Sequence, residues 1–348
     1  MKSFNFFFLL FYLFLVSCSQ AAKTQDTLFI AFWNLENLFD TVDDPAKNDE
    51  EFLPNSNLEW TQQRFDKKIY NLARVIRSMN ENRGPDILGV CEVENKNVLD
   101  SLTHKYLHDL NYDIVHVESP DNRGIDVALL YRDGMFNVEA ITVDTVHLSD
   151  NWPTRPVLGV HLRNKFKQDF IVFVNHWPSR SGGEEKSEPN RIEAAKTLKK
   201  AIDRIFEKDS SANIISIGDY NDEPGNESIL ETLEAHPVIC DSIKTGYEFE
   251  SRGELFNLSY QEYSDGKGTY KYKDDWNLLD QIIVSGNVLT GKSIIYICNS
   301  YTIYKPYFLQ THSGKYAGTP FPTYGGRKYL GGYSDHYPVF AKFLLEGN

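Results

Sequence analysis

Residues 214–222 read I-I-S-I-G-D-Y-N-D. Three isoleucines in four positions leave no solvent face, the pattern of a strand covered by a layer on each side. Asp219, Tyr220, Asn221 and Asp222 follow at once, in the place where an α/β protein builds its site on loops held by a rigid frame. Upstream, Ile192, Ala195, Leu198, Ile202 and Ile205 form the apolar stripe of an amphipathic helix. The unit is therefore helix, buried strand, acidic loop.

The same order of parts recurs along the chain. Leu28–Phe32 runs into W-N-L-E-N-L-F-D (33–40), and Ile87–Val90 into C-E-V-E-N (91–95). Phe170–Val174 runs into N-H-W-P-S-R (175–180); W-N-L-L-D-Q-I-I-V (276–284) holds the strand Leu279–Val284, and S-D-H-Y-P-V spans 334–339. If the strands continue, Asn34 with Glu36, Glu92 with Glu94, and Asp219 with Asn221 each share a face, being two residues apart. Between the first two strands, Phe65, Ile69, Leu72, Ile76 and Met79 mark a helix over Trp60–Met79, with Arg64, Lys67, Lys68 and Arg74 on its other face. Ile125–Tyr131, Val157–Leu162 and Phe170–Val174 have no helix between them, which implies antiparallel hairpins. The class is thus mixed α/β with two sheets, not a doubly wound parallel sheet.

Composition bounds the function. Asp and Glu number 49 against 36 Lys and Arg, a net of −13, so overall charge cannot grip a phosphate backbone and any polyanion must be met locally. The 348 residues show no internal repeat and no composition break after residue 28, so residues 28–348 are expected to form one large domain. Lys2 precedes an apolar run from Phe6 to Val16, too short for a bilayer-spanning helix of ~20 residues but suited to the core of an export signal. Leu15-Val16-Ser17-Cys18 resembles the lipobox of bacterial lipoproteins. The expected organisation is a signal peptide over 1–17, then lipidated Cys18 and a polar tether over 18–27. This would be an exported cell-envelope lipoprotein, periplasmic or on the outer membrane, held to a membrane only through its lipid. Cys91, Cys240 and Cys298 have no paired spacing and read as buried, unpaired thiols.

The ordered set of segments resembles the endonuclease/exonuclease/phosphatase superfamily, whose members include pancreatic-type deoxyribonuclease. The marks are W-N at 33–34, E-V-E at 92–94, V-N-H at 174–176, G-D-Y-N at 218–221, L-D-Q-I-I-V at 279–284 and S-D-H-Y-P-V at 334–339. The resemblance implies a four-layer α-β-β-α sandwich of two mixed, largely antiparallel sheets. It also implies that Glu92 is the main metal ligand, with Asn34, Glu36 and Asp335 beside it. Asp219 matches the residue that orients or deprotonates the attacking water, and Asn221 the amide that holds a phosphate oxygen. His336 matches the essential histidine, Asp280 its orienting or metal-side carboxylate, and His176 the second histidine of the deoxyribonuclease branch. Tyr220 stands where many members have Phe, and Glu36 where others have Asp or an amide.

The chemistry is sensible on its own terms. Hydrolysis of a phosphodiester needs neutralised oxygens, a hydroxide and a stabilised leaving group. A hard ion, Mg²⁺ with Mn²⁺ or Ca²⁺ as alternatives, suits the first task because it binds few carboxylates and keeps exchangeable waters. Asp219 suits the second, and Asn221, His176 and His336 can donate to developing charge. A carboxylate behind each imidazole would fix its tautomer: Asp280 or Asp335 for His336, and Asp126 for His176. Glu92, Asp219, Asp280 and Asp335 crowded round one cleft would repel one another, which a cation relieves. No G-x-S-x-G, H-E-x-x-H or Walker motif competes.

The substrate is less constrained. Arg180 and Arg191 flank an S-G-G-E-E-K-S-E-P loop that could bring a cation to phosphate. Residues 301–333 carry Lys305, Lys315, Arg327, Lys328 and seven tyrosines with no Asp or Glu, a local reversal of charge in which stacking and phosphate contact combine. The expectation is a monomeric, metal-dependent phosphodiesterase, most simply an endonuclease acting on nucleic acid, with Arg180, Arg327 and Lys328 on the substrate. A phosphatase or phospholipase-C-like enzyme is the alternative, although no apolar hairpin favours membranes. A non-catalytic binding lipoprotein is the third reading, opposed by the joint presence of Glu92, Asp219, Asn221 and His336.

Overall fold

The computed structural model describes residues 25–148, 151–238, 240, 253–291 and 293–346. The export signal and Cys18 lie outside these residues. The chain enters as β1 (Gln25–Leu38), crosses by α1 (Gln62–Asn82) to β2 (Ile87–Val93), and continues through α2 (Lys96–Tyr106), β3 (Tyr112–Val117) and β4 (Asp126–Arg132). A meander of β5 (Phe136–Asp144), β6 (Val157–Asn164) and β7 (Asp169–His176) leads by α3 (Glu184–Phe206) to β8 (Ile214–Asp219). Short strands β9 (Ala235–Pro237) and β10 (Leu255–Asn257) precede the hairpin β11 (Tyr270–Tyr272) and β12 (Asp275–Asn277). Then come β13 (Asp280–Ser285), β14 (Ile294–Tyr296), β15 (Thr302–Ile303), the hairpin β16 (Tyr324–Gly325) and β17 (Lys328–Tyr329), and β18 (Val339–Glu346).

Two sheets result, ordered β14-β18-β1-β2-β4-β3 and β5-β6-β7-β8-β13-β10-β9. The pairs β1–β2 and β7–β8 are parallel, and each is bridged by one of the two long helices, as a parallel crossover requires. Most other pairings are antiparallel. The sheets pack face to face, α1 and α2 cover the first and α3 covers the second, giving the α-β-β-α sandwich. Leu28, Ile30, Phe32, Val90, Leu129, Val160, Val172, Val174 and Ile217 are among the side chains of the core. Gly89 makes room for the facing sheet, since a Cβ there would lie 2.6 Å from Cδ1 of Ile217.

Several expectations need correction. Residues 25–27, read as the end of the tether, pair with β18 as regular strand. The loop between Arg180 and Arg191 is largely the opening of α3, with Pro189 inside the helix. Cys240 and Cys298 are not free thiols: they form a disulfide with Cα atoms 5.6 Å apart, joining segments 58 residues distant. Spacing could not reveal it, because it depends on the segment after β9 of the second sheet meeting the segment after β14 of the first. Cys91 is buried and free, as expected. Among the described residues no helix is long and apolar enough to cross a membrane.

Candidate active site

The register of the second sheet assembles half of the site. His176 lies beside Asp219 across β7–β8, and Asp219 beside Asp280 across β8–β13, so three adjacent strands present these side chains in one row. Gly218 allows the close pairing, since a Cβ there would sit 2.6 Å from the carbonyl oxygen of Asn175. The facing sheet contributes Asn34 and Glu92 from the same ends of β1 and β2, and the segment entering β18 adds Asp335 and His336. Hydrogen bonds join the two halves. Asn34 Nδ2 donates to Glu92 Oε1 at 3.2 Å and to Asp219 Oδ2 at 3.0 Å. His336 Nδ1 donates to Asp280 Oδ2 at 2.7 Å, while its Nε2 lies 3.9 Å from Asp219 Oδ2. His176 Nε2 stands 3.9 Å from both Glu92 Oε1 and Asp219 Oδ2. Ser334 ties the last segment in: its Oγ donates to the Asn34 carbonyl and accepts from the His336 N–H.

Left-handed backbone recurs here. Glu36, Asn37, Glu92 and Asn221 have φ of 50°, 53°, 57° and 52°. Such angles are costly for residues with a Cβ, and strain of this kind collects at functional sites. The strand register shifts at the same places on β1 and β2. These bulges overturn the expectation that residues two apart share a face. Glu92 turns into the site, accepting from Asn37 N at 2.9 Å, whereas Glu94 turns away to accept from Asp40 N at 2.6 Å. Glu36 also diverges from Asn34: its carboxylate accepts from Thr323 N at 2.6 Å and Tyr324 N at 3.3 Å and pairs with Lys68 at 3.5 Å.

Lys68 is the residue the sequence misplaced. Helical periodicity put it on the solvent side of α1, yet it is 1% exposed, and its Nζ donates to Thr323 Oγ1 and the Tyr333 carbonyl. Burial lowers its pKa while Glu36 and Asp335 act to raise it. It anchors residues 323–333 through Thr323 and Tyr333. A 240 Å³ cavity lined by Glu36, Phe52, Trp60, Thr323, Tyr324 and Asp335 opens next to it.

The electrostatics separate the two histidines. Burial works against the His336 imidazolium, but Asp280, Asp219 and Asp335 outweigh it and hold its pKa well above the usual value. His176 is held well below the usual value by burial and by Arg155, Arg123 and His336. Burial also raises Asp219, with Asp280 adding to the rise and His336 opposing it. Asp335 is pushed up to about 7 by burial, with Glu36 and Glu92 adding to the effect and His336 and Lys68 opposing it.

The carboxylate behind His176 is not Asp126. Asp126 lies on the other sheet, turned toward β3, where it accepts from His116 Nε2 at 2.7 Å and from Ser119 N at 2.8 Å. His176 Nδ1 is buried without a hydrogen-bond partner among the described residues. Arg155, unnoticed in the sequence, is buried nearby: it pairs with Asp121 at 2.9 Å and donates to the Trp177 carbonyl. Asn221 Nδ2 donates to the same carbonyl at 2.9 Å, so Trp177 is held from two sides.

The expected substrate cations divide. Arg180 is committed to the protein, donating to the Asn221 carbonyl at 2.8 Å and Asn277 Oδ1 at 3.0 Å and pairing with Asp222. Buried Arg191 pairs with Asp222 at 2.6 Å. Both brace the G-D-Y-N-D turn, which corrects the reading of Arg180 as a phosphate contact. Arg327 and Lys328 are exposed at the tip of the β16–β17 hairpin. Of the seven tyrosines, Tyr301 and Tyr333 are buried, and Arg64 lies over the Tyr329 ring at 4.4 Å, whereas Tyr307 and Tyr316 are 74% and 54% exposed.

A divalent cation fits this donor set. The Glu92 carboxylate adds to the raised pKa of Asp335, Asp219 is raised likewise, as uncompensated acids are, and Asp280 Oδ1 is buried without a partner among the described residues. Asp219, Asp280 and His336 offer ligand atoms within 4.8 Å of one another.

Glu94 gives a separate prediction. Burial pushes its carboxyl up to about 8, against the Asp40 N–H and helped by the carboxylates of Asp40, Asp49 and Asp44. A folded-state pKa above the unfolded value contributes stability below the unfolded value, and that stability is lost as pH rises through about 8. Between pH 7 and 9, Glu94→Gln is expected to lose less Tm than the wild type, by on the order of 2 °C. Parallel Tm curves would contradict the assignment.

Comparisons with known proteins agree with this fold. The fold matches a mannosyl-6-phosphatase of Bacteroides thetaiotaomicron at 16% identity and TM-score 0.54, over 91% of this chain and 99% of that one. It matches the human Nocturnin catalytic domain with bound sulfate at 16% identity and TM-score 0.52, over 92% and 97%. It also matches D. rerio TDP2 complexed with a single-strand DNA product at 14% identity and TM-score 0.53, over 91% and 98%. No curated protein matches the sequence. With its acids and imidazoles gathered at one end of the sandwich, and a family model covering residues 29–344, the chain belongs to the Endonuclease/Exonuclease/phosphatase family.

Proposed function

We propose that this phosphoester hydrolase cleaves phosphodiester bonds, with nucleic acid as substrate and Mg²⁺ as its ion. The observation that carries this reading is the continuous chain Glu92–Asn34–Asp219 brought against His336–Asp280 and His176 in one cluster. Asn34, Glu92 and Asp335 would hold the divalent ion, which supplies charge neutralisation at the non-bridging oxygens. Asp219, raised by burial, takes the proton of the attacking water; its other oxygen is fixed by the Asn221 N–H at 2.9 Å. His336, kept as imidazolium, donates from Nε2 to developing negative charge, and neutral His176 places its Nε2 at the same centre. The exposed Arg327 and Lys328 extend the contact along a polyanion, and the DNA product bound by the zebrafish relative agrees with that substrate class. Export and lipid attachment at Cys18 belong to the same proposal.

A second reading, phosphomonoester hydrolysis, is favoured by one observation. Three of the tyrosines expected to stack on bases pack against α1: the Tyr304 hydroxyl donates to the Ser78 carbonyl, that of Tyr333 accepts from Arg74, and Arg64 covers the Tyr329 ring. Incubating the purified protein and Mg²⁺ with plasmid DNA, RNA, bis-p-nitrophenyl phosphate and p-nitrophenyl phosphate separates the two, with His336→Ala as control. Faster diester than monoester cleavage is expected. The opposite order would replace the first reading with the second, and no cleavage of any ester would refute both.

A further inference from the structure

Tyr270, at the start of β11, was not singled out by any sequence motif, yet it lies against the catalytic histidine. Its ring stacks on the His336 imidazole with centroids 4.7 Å apart and planes at 27°. The placement is rigid on both sides. An antiparallel bridge joins Tyr270 to His336, and the Tyr337 N–H donates to the Thr269 carbonyl at 2.9 Å. Thr269 Oγ1 in turn accepts from the backbone N–H of Asp280 at 3.3 Å. The residue is thus fixed to both members of the His336–Asp280 pair.

The phenol is the informative part. Neighbouring buried tyrosines spend their hydroxyls on the protein: Tyr301 on the Asp280 carbonyl, Tyr337 on the Gly318 carbonyl, and Tyr220 on Ser216 Oγ. The half-buried Tyr270 hydroxyl has no hydrogen-bond partner among the described residues. Burial and the charges of Asp335, Asp219 and Glu92 push its pKa up to about 12, which places it in the field of the acids that surround the reaction centre. A neutral donor that keeps its proton at every working pH, held rigidly and unspent, is suited to an anionic oxygen arriving from outside.

We propose that Tyr270 is a further catalytic residue whose phenolic O–H donates to a non-bridging oxygen of the bound phosphoryl group, while its ring shields one face of His336. The proposal rests on the hydrolase reading above and deepens it. Tyr270→Phe keeps the stacked ring and removes only the donor, so a purely structural role predicts no change. In Mg²⁺, with bis-p-nitrophenyl phosphate, the variant is expected to lose about 10- to 100-fold in kcat/KM, the usual scale for one such donor or somewhat below. Inhibition by inorganic phosphate should weaken about tenfold, with Tm unchanged. Wild-type kcat/KM together with wild-type phosphate inhibition would overturn the proposal. If the wild type cleaves no ester, the hydrolase reading fails, and calorimetric binding of inorganic phosphate in Mg²⁺ decides for Tyr270: weaker binding by Tyr270→Phe supports the contact. Equal binding, or none by the wild type, removes it.

Discussion

His336→Ala is expected to lower kcat by about 10³-fold or more and also to destabilise the protein, because the change removes a donor and strands a charge. Asp280 is fully buried, and His336 Nδ1 is its side-chain partner at 2.7 Å. Breaking a buried pair by deleting one member costs ~3–5 kcal/mol, most of it the uncompensated charge left behind. The double change His336→Ala with Asp280→Asn removes that charge, so it should recover much of the lost Tm while remaining inactive. Recovery of activity along with stability would show that His336 serves the fold and not the reaction. Asp280→Asn alone tests the electrostatics. Asp280 is the foremost of the groups that raise the His336 pKa, so the imidazolium persists well above the ordinary range in the wild type. Without that carboxylate the donor is lost as pH rises through a lower pKa. Relative to the wild type, the variant should lose rate between about pH 6 and 8, near the unperturbed histidine value. A flat variant profile would contradict the role given to Asp280.

The second large effect concerns Glu92. Millimolar Mg²⁺ or Mn²⁺ is expected to raise the wild-type Tm, since a ligand bound only by the folded state stabilises it, by about 2.7 kcal/mol at a hundred times Kd. Glu92→Gln should abolish that rise and lower kcat/KM by about 10³-fold or more. The amide still offers an oxygen to the Asn37 N–H, so the bulge at the end of β1 need not collapse. Two charges change together, because Glu92 helps to raise Asp335. The metal-free variant should therefore have an Asp335 carboxyl closer to the ordinary range, readable by NMR as a lower midpoint pH in the titration of its carboxyl carbon. A metal-dependent Tm rise of wild-type size in Glu92→Gln would remove the cation from this position.

Much of the frame was legible because its signals are local. Apolar periodicity identified the strands that enter the site and both helices that bridge parallel strands, and the polar residues directly after those strands are the ones the structure gathers. Register does the rest, since His176, Asp219 and Asp280 fall in one row only after β7, β8 and β13 pair. The failures share a cause. Glu36 and Glu94 leave the expected faces because left-handed residues at 36, 37 and 92 break the two-residue alternation. Asp126 turned to His116 because of the sheet it occupies, and Arg180 was taken by Asn221 and Asp222, distant in sequence and adjacent in space.

By itself, then, the sequence determined seven of the strands, the two long helices, a mixed α/β class with two sheets and the acids and imidazoles available to it, because each of these follows from side-chain pattern within a few residues, while the four-layer sandwich was implied by the resemblance of the ordered motifs. Only the tertiary structure decided which carboxylate backs which histidine, that Lys68 is a buried anchor and not a solvent-facing charge, that Cys240 meets Cys298, and that Tyr270 lies on His336. Those are contacts between segments tens to hundreds of residues apart, and their partners are chosen by bulges, burial and strand register, which no local pattern encodes.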